Sequence, residues 1–70
     1  MTIKDMVYDV LQEKGTLSAF EIKGFVYRKY GENISTQSAA GLLRGLVNQG
    51  KVARSRDGNN RTVYWIVKEW

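Results

Sequence analysis

Polar side chains recur at helical spacing within the stretch from Ser35 to Val52. Residues three and four positions apart share a helix face, so one guanidinium and two carboxamides would project together. Each of these groups can make paired hydrogen bonds, and no carboxylate lies among them to repel a phosphate. We interpret this face as suited to a nucleic-acid groove, the alternative being a polar face that is simply solvated. The face consists of Gln37, Gly41, Arg44 and Asn48, with Ser38, Ala40 and Gly45 on its flanks.

The helix that must position this face is marked at both ends. Ser35 is a good N-cap, and Ile34 before it can pack against Ala39 as a hydrophobic staple. Gly50 stands where a glycine commonly ends a helix. An apolar stripe lies opposite the polar face and predicts which side is buried: Ala39, Leu42, Leu43, Leu46 and Val47.

Composition limits the chemistry that the chain can perform. The 70 residues make a single small domain, residues 1–70, and a hydrophobic fraction of 43% allows a compact core. The absence of cysteine and histidine removes thiolate metal sites, disulfides and the commonest general base. We therefore expect that the protein is not an enzyme and that it uses no cofactor, no metal and no small-molecule substrate. No apolar run approaches a membrane span and no signal peptide is evident, so we expect no membrane association and a cytoplasmic protein, nucleoid-associated if it binds DNA.

Charge is distributed unevenly along the chain. Residues 1–35 hold five basic and five acidic side chains, whereas residues 36–70 hold six basic side chains against Asp57 and Glu69. The whole excess of +4 therefore lies on the central helix and on the residues after it. This distribution is expected if that half of the chain faces a polyanion, although +4 is also ordinary for a small soluble domain.

Two further helices precede the central one. Thr2 with Asp5 and Ser18 with Glu21 have the spacing of N-terminal capping pairs. The first helix ends at Gly15 and the second runs to about Tyr30, with no more than a short bridge of strand between them. Only residues 31–34 separate the end of the second helix from Ser35. So short a turn predicts a helix-turn-helix unit with the central helix in the second, recognition position. Acidic residues recur every four positions on the first helix, and we interpret them as solvated rather than catalytic: Asp5, Asp9 and Glu13.

Three glycines inside predicted helices call for an explanation, because each costs about 1 kcal/mol relative to alanine. Gly24 predicts a close helix crossing in the second helix. Gly41 and Gly45 lie in the central helix, where either a DNA backbone or another helix would approach closely.

After Gly50 the pattern changes to two short runs of β-branched and aromatic residues, 51–55 and 62–67. The Asp57-Gly58 and Asn59-Asn60 pairs between them predict a β-hairpin with a moderately long tip. Its basic and amide side chains suit phosphate or minor-groove contact, the alternative being a loop that is simply solvated. They are Arg54, Arg56, Asn59, Asn60 and Arg61.

The last strand is apolar on both faces, yet a two-stranded hairpin on three helices can bury only one. We therefore predict a second interface at Tyr64, Ile66 and Trp70, formed by another protein or by a second copy of the chain. An aromatic side chain that only covers the edge of the core is the alternative.

The order of elements resembles the winged helix-turn-helix domain of small bacterial and phage transcription regulators. The resemblance covers nearly the whole chain and rests on S-x-x-E at residue 18, the segment LLRGLVNQGKVAR and the strand TVYWIV. It implies that one set of residues faces the major groove: Thr36, Gln37, Ser38, Gly41, Arg44 and Asn48. It implies that a second set forms the wing: Arg54, Arg56, Asn59, Asn60 and Arg61.

The chain is also similar to winged domains that bind Z-form nucleic acid, whose closing strand carries a tryptophan as Trp65 does here. Those domains read their ligand with a tyrosine in the third helix and prolines in the wing. Arg44 stands where the tyrosine would be expected, and the chain contains no proline.

These patterns together predict an α+β fold, a winged helix-turn-helix with a three-helix core and a C-terminal two-stranded β-hairpin wing. We expect the protein to bind double-stranded DNA with sequence preference, as a transcriptional regulator and as a homodimer. Arg44 would contact guanine, Gln37 or Asn48 would contact adenine, and Lys51 would join the wing arginines on phosphates. A protein-interaction module, acting as an adaptor or inhibitor through the apolar hairpin face, is the alternative.

Overall fold

Three helices and a three-stranded antiparallel sheet make up the structure, a computed structural model that describes residues 1–67. The chain order is helix, short strand, two helices, and then two strands joined as a hairpin. This order confirms the predicted fold class, and the predicted strands of the hairpin are correct to within one residue. The elements are α1 (Ile3–Lys14), β1 (Leu17–Ser18), α2 (Ala19–Tyr30), α3 (Thr36–Asn48), β2 (Val52–Arg56) and β3 (Thr62–Ile66).

Both predicted capping pairs close as reciprocal capping boxes. The backbone N–H of Asp5 donates to the Thr2 hydroxyl at 3.2 Å, and the N–H of Thr2 donates to the Asp5 carboxylate at 3.1 Å. Ser18 and Glu21 make the same exchange at 3.3 and 3.1 Å. Each box satisfies two backbone donors that the first turn would otherwise leave open, and this is why α1 and α2 begin where they do.

The end of α3 is a Schellman motif around Gly50. The N–H of Gly50 donates to the Val47 carbonyl at 3.0 Å, and the N–H of Lys51 donates to the Leu46 carbonyl at 3.1 Å. Gly50 has a φ of +76°, a left-handed conformation that glycine adopts without steric cost. The motif turns the chain directly from α3 into β2, so α3 and the hairpin are joined by only three residues.

Strand β3 lies in the middle of the sheet. It pairs along its whole length with β2, from Val52 opposite Ile66 to Arg56 opposite Thr62. It also pairs with β1, where Leu17 lies opposite Tyr64. The predicted short bridge before α2 is therefore a true edge strand, and it ties the N-terminal helices to the wing.

A single hydrophobic core fills the space between the helices and one face of the sheet. Every element contributes to it, and the partly buried Met6, Phe25 and Leu42 pack at its edge. The buried apolar set is Val7, Val10, Leu11, Leu17, Ile22, Val26, Ile34, Ala39, Leu43, Leu46, Val52 and Tyr64.

The position of Tyr64 corrects the predicted second interface. Tyr64 is only 6% exposed, and Ile66 packs against the core, so these two side chains form the inner face of β3. The pair is inward because Tyr64 lies opposite Leu17, itself buried. The apolar surplus of the strand is instead on the other face, and Trp70 lies outside the described residues.

The close helix crossing predicted at Gly24 is also absent. A Cβ built on Gly24 would meet no atom within 4 Å, leaving aside neighbouring residues and the backbone of α2 itself. Nothing packed against this point of the described fold therefore requires glycine.

Charged side chains join the outer surfaces of α1 and α2. The Lys29 ammonium donates to Asp9 at 2.7 Å and also to Glu13, and the Tyr30 hydroxyl donates to Asp9. The hydrogen bond from Lys29 is the main reason that the pKa values of the Asp9 and Glu13 carboxyls lie below their usual range. These acids thus hold two helices together, and they are partnered rather than free.

The Lys29 cluster predicts a specific dependence of stability on pH. Because the folded-state pKa values of Asp9 and Glu13 are lowered, their contribution is present at neutral pH and is lost as pH falls through the acid range. Lys29→Met should make the fall in urea midpoint between neutral and acid pH shallower. Lys51→Met removes a charge outside this cluster and is the matched control, which should keep the wild-type slope. Equal slopes for all three proteins would contradict this assignment.

Candidate nucleic-acid interface

The outer face of α3 carries the first set of predicted residues. Ala39, Leu43 and Leu46 are at most 2% exposed, so the opposite side of the helix faces solvent. All six predicted groove residues are exposed there: Thr36, Gln37, Ser38, Gly41, Arg44 and Asn48. The structure therefore brings this set together on one helix surface.

The N-terminus of α3 differs from those of the other two helices. Ser35 caps it by accepting the N–H of Ser38 at 3.0 Å, and the Ser35 hydroxyl also donates to the Ser38 hydroxyl at 3.0 Å. The first turn of α3 holds no acidic residue, whereas Asp5 and Glu21 occupy that place in α1 and α2. The positive end of the α3 dipole thus stays uncompensated by charge, a favourable environment for a phosphate.

The two glycines of α3 have open space beside them. A Cβ built at Gly41 or Gly45 would meet no atom within 4 Å, with the helix's own nearby backbone left out. Close packing on another helix of the described chain, one of the two predicted explanations, is therefore wrong for both. Approach of a ligand backbone stays a prediction.

The wing presents the second set of residues. Val52, Arg54 and Arg56 occupy alternate positions of β2 and therefore share one face of the strand. At the base of the hairpin this face packs on the helices and buries Val52, whereas the two arginines lie further toward the tip and are exposed. Strand β2 also contacts α3 directly. All five predicted wing side chains are exposed: Arg54, Arg56, Asn59, Asn60 and Arg61. Lys51 is exposed as well, at the junction of α3 and the wing.

Asp57 accepts backbone hydrogen bonds that organise the tip of the wing, a role that sequence reasoning missed. Its carboxylate accepts the N–H of Asn59 at 2.9 Å and the N–H of Arg61 at 3.0 Å. These bonds lower the pKa of Asp57, so the carboxylate stays ionised and engaged. The signal was available in the sequence, since aspartate two residues before a turn amide commonly makes this bond.

Acidic side chains are scarce in the stretch of chain that holds both sets. Between Ser35 and Val67 the only carboxylate is that of Asp57, which also lies 3.9 Å from the Arg61 guanidinium. Within residues 1–67, no cluster of acidic side chains could hold a metal ion. None of the helices described there is long and apolar enough to cross a membrane.

This arrangement of three helices with a hairpin after the third helix defines the winged helix-turn-helix fold. No protein-family model matches the chain, and a comparison with curated proteins finds no match. Solved structures do match. The chain is similar to hsRosR in the complex named RosR-S4, with a TM-score of 0.84, 24% identity, and coverage of 97% of this chain.

Two other winged-helix structures extend the comparison. F93 from STIV, described as a winged-helix DNA-binding protein, superposes with a TM-score of 0.72 at 9% identity, covering 94% of this chain and 71% of F93. The Zalpha domain of PKZ in complex with ds(CG)6 superposes with a TM-score of 0.75 at 18% identity, covering 94% and 95%. Identities this low establish the fold alone, and the chain spans only 58% of the hsRosR chain.

The open space beside Gly41 and Gly45 predicts that alanine stabilises the fold at both positions. The added methyl group meets nothing in the chain and removes freedom from the unfolded state, so each substitution should raise the free energy of unfolding by about 0.5–1 kcal/mol. Urea denaturation measures this change. Ala40→Gly on the same helix should lower stability by a similar amount. Loss of stability in Gly41→Ala would mean that the site is already in contact with the rest of the chain.

Proposed function

We propose that this protein binds double-stranded DNA with sequence preference and acts as a transcriptional regulator of the bacterial or phage type. The observation that carries the proposal is the outer face of α3, which is exposed, free of carboxylates and headed by an uncompensated helix N-terminus. The winged-helix fold supports it, since this fold is shared with proteins described as DNA-binding. In this proposal the protein acts on DNA as a homodimer.

The two sets of residues have different roles in this proposal. Arg44 lies at the middle of the α3 face, where its guanidinium would donate two hydrogen bonds to a guanine edge in the major groove. Gln37 or Asn48, one or two turns away on the same face, would pair with adenine. The wing arginines and Lys51 would neutralise phosphates, which fixes position and adds affinity without reading sequence.

The salt dependence of binding tests the proposal as a whole. Binding of the purified chain to a random-sequence duplex should fall by orders of magnitude between about 50 and about 200 mM salt, because each neutralised phosphate releases counterions. An absence of binding at the lower salt concentration would reject DNA as the ligand. Binding that is unaffected by salt would indicate an apolar contact instead.

Substitutions in the two sets should have distinguishable effects. Arg44→Ala should relax preference at one base pair, costing about 1–3 kcal/mol on the preferred site and little on other sequences. Arg56→Ala or Arg61→Ala should weaken binding on all sequences alike and reduce the salt slope by about one. Selection from a random duplex library, followed by titration at several salt concentrations, measures both.

Two control variants sharpen this comparison. Arg44→Lys keeps the charge but not the paired donors, so it should lose preference while retaining the salt slope. Lys14→Ala removes a cation from the acidic α1 and should change neither quantity. Equal, sequence-independent losses from Arg44→Ala, Arg56→Ala and Arg61→Ala would contradict the division of roles.

Gly41 provides a test of close approach. Gly41→Ala should weaken DNA binding by about tenfold or more even though it stabilises the fold, because the methyl group would stand between α3 and the groove. Opposite changes in stability and affinity are the expected signature. Unchanged affinity would show that α3 does not approach the DNA at this point.

A further inference from the structure

The outward face of α2 carries two large aromatic side chains that the fold does not bury. Phe20 is 69% exposed and Tyr27 is 58% exposed. They lie seven residues apart and therefore on the same side of the helix, opposite the buried Ile22 and Val26. Two large aromatic rings on one exposed helix face form a local apolar patch, and such patches mark candidate interaction surfaces.

Gly24 lies between the two rings on the same face. A Cβ at this position would meet no atom within 4 Å, so the described chain itself does not require glycine here. Glycine nevertheless costs about 1 kcal/mol relative to alanine within a helix. A glycine flanked by two exposed aromatics leaves a shallow gap through which the backbone of another helix could approach closely.

Charges of opposite sign flank this aromatic face. Glu21 and Arg28 lie on one side of it, again seven residues apart. One Glu21 oxygen accepts the N–H of Ser18, and in residues 1–67 neither Glu21 nor Arg28 makes an ion pair. On the other side the Lys23 ammonium lies 5.5 Å from the centre of the Phe20 ring.

We propose that a second copy of this chain packs its α2 antiparallel against this face, with the two-fold axis passing beside Gly24. In such a pair, positions three or four residues before Gly24 lie near positions three or four residues after it in the other copy. Phe20 then meets Tyr27 of the other copy, and Glu21 meets Arg28 of the other copy. Each of these contacts occurs twice. The two Gly24 residues meet at the axis, where the absence of side chains permits close approach.

Self-complementarity is the reason for assigning a second copy rather than another protein. Reversal of the helix pairs ring with ring and acid with base, as an isologous interface requires. The two Lys23 side chains are like charges brought near each other, but each is drawn over its own Phe20 ring. One helix face is small compared with the roughly 1,200 Å² of a stable interface, so the dimer is weak and dependent on concentration. It forms whether or not DNA is bound.

Sedimentation equilibrium of the full chain, without DNA, tests this dimer across micromolar to millimolar concentrations. Wild type should associate reversibly, and Gly24→Glu should raise the dissociation constant by about tenfold or more because it places two like charges at the axis. Tyr27→Ala should weaken the dimer as well. Val67→Ser removes an apolar side chain that is 41% exposed outside α2, and it should leave the dimer unchanged.

Two charge reversals identify the pairing directly. Arg28→Glu and Glu21→Arg should each weaken self-association, because each variant brings like charges together. An equimolar mixture of the two should associate again, since both ion pairs reform between unlike copies. Circular dichroism checks that each variant is folded. A monomeric wild type, a mixture that fails to associate, or a dimer lost in Val67→Ser but kept in Gly24→Glu would overturn the proposal.

Discussion

Burial of the apolar stripe of α3 is the constraint on which the rest of the structure depends. Leu43 at the middle of this helix is fully buried, and Ala39 and Leu46 lie on either side of it. In a domain this small, one core must serve all the elements, so each helix can bury one face only. Fixing Leu43 inward therefore fixes Arg44 outward. The Schellman turn at Gly50 then fixes where the wing begins relative to α3, because it leaves only three residues between α3 and β2.

Acidic and basic side chains are used differently in the two halves of the fold. On α1, Asp9 and Glu13 are engaged by Lys29 of α2, which makes the acidic side a structural contact between helices. In the wing, Asp57 accepts two backbone N–H groups that hold the tip. The arginines of the second half are left exposed around it. The same small set of charges thus stabilises one side of the molecule and leaves a positive surface on the other.

Local signals predicted most of this fold correctly, and non-local contacts account for the errors. Thr2, Ser18 and Ser35 mark helix starts because capping involves residues only three positions apart. Strand β3 has apolar residues on both faces, so its sequence has no period that tells which face is inward. That choice is made by Leu17, 47 positions before its partner Tyr64. The predicted groove and wing residues are all exposed, but exposure alone does not identify what they bind.

The α3 face and the wing together are the DNA-binding surface that we propose. Titration of the isotopically labelled protein with a duplex, followed by backbone amide chemical shifts, tests this assignment most directly. We expect the shifted amides to lie in residues 36–48 and 51–61, with the acidic surface around Asp9 and Glu13 unchanged. Shifts centred on α1, or on the aromatic face of α2, would contradict it.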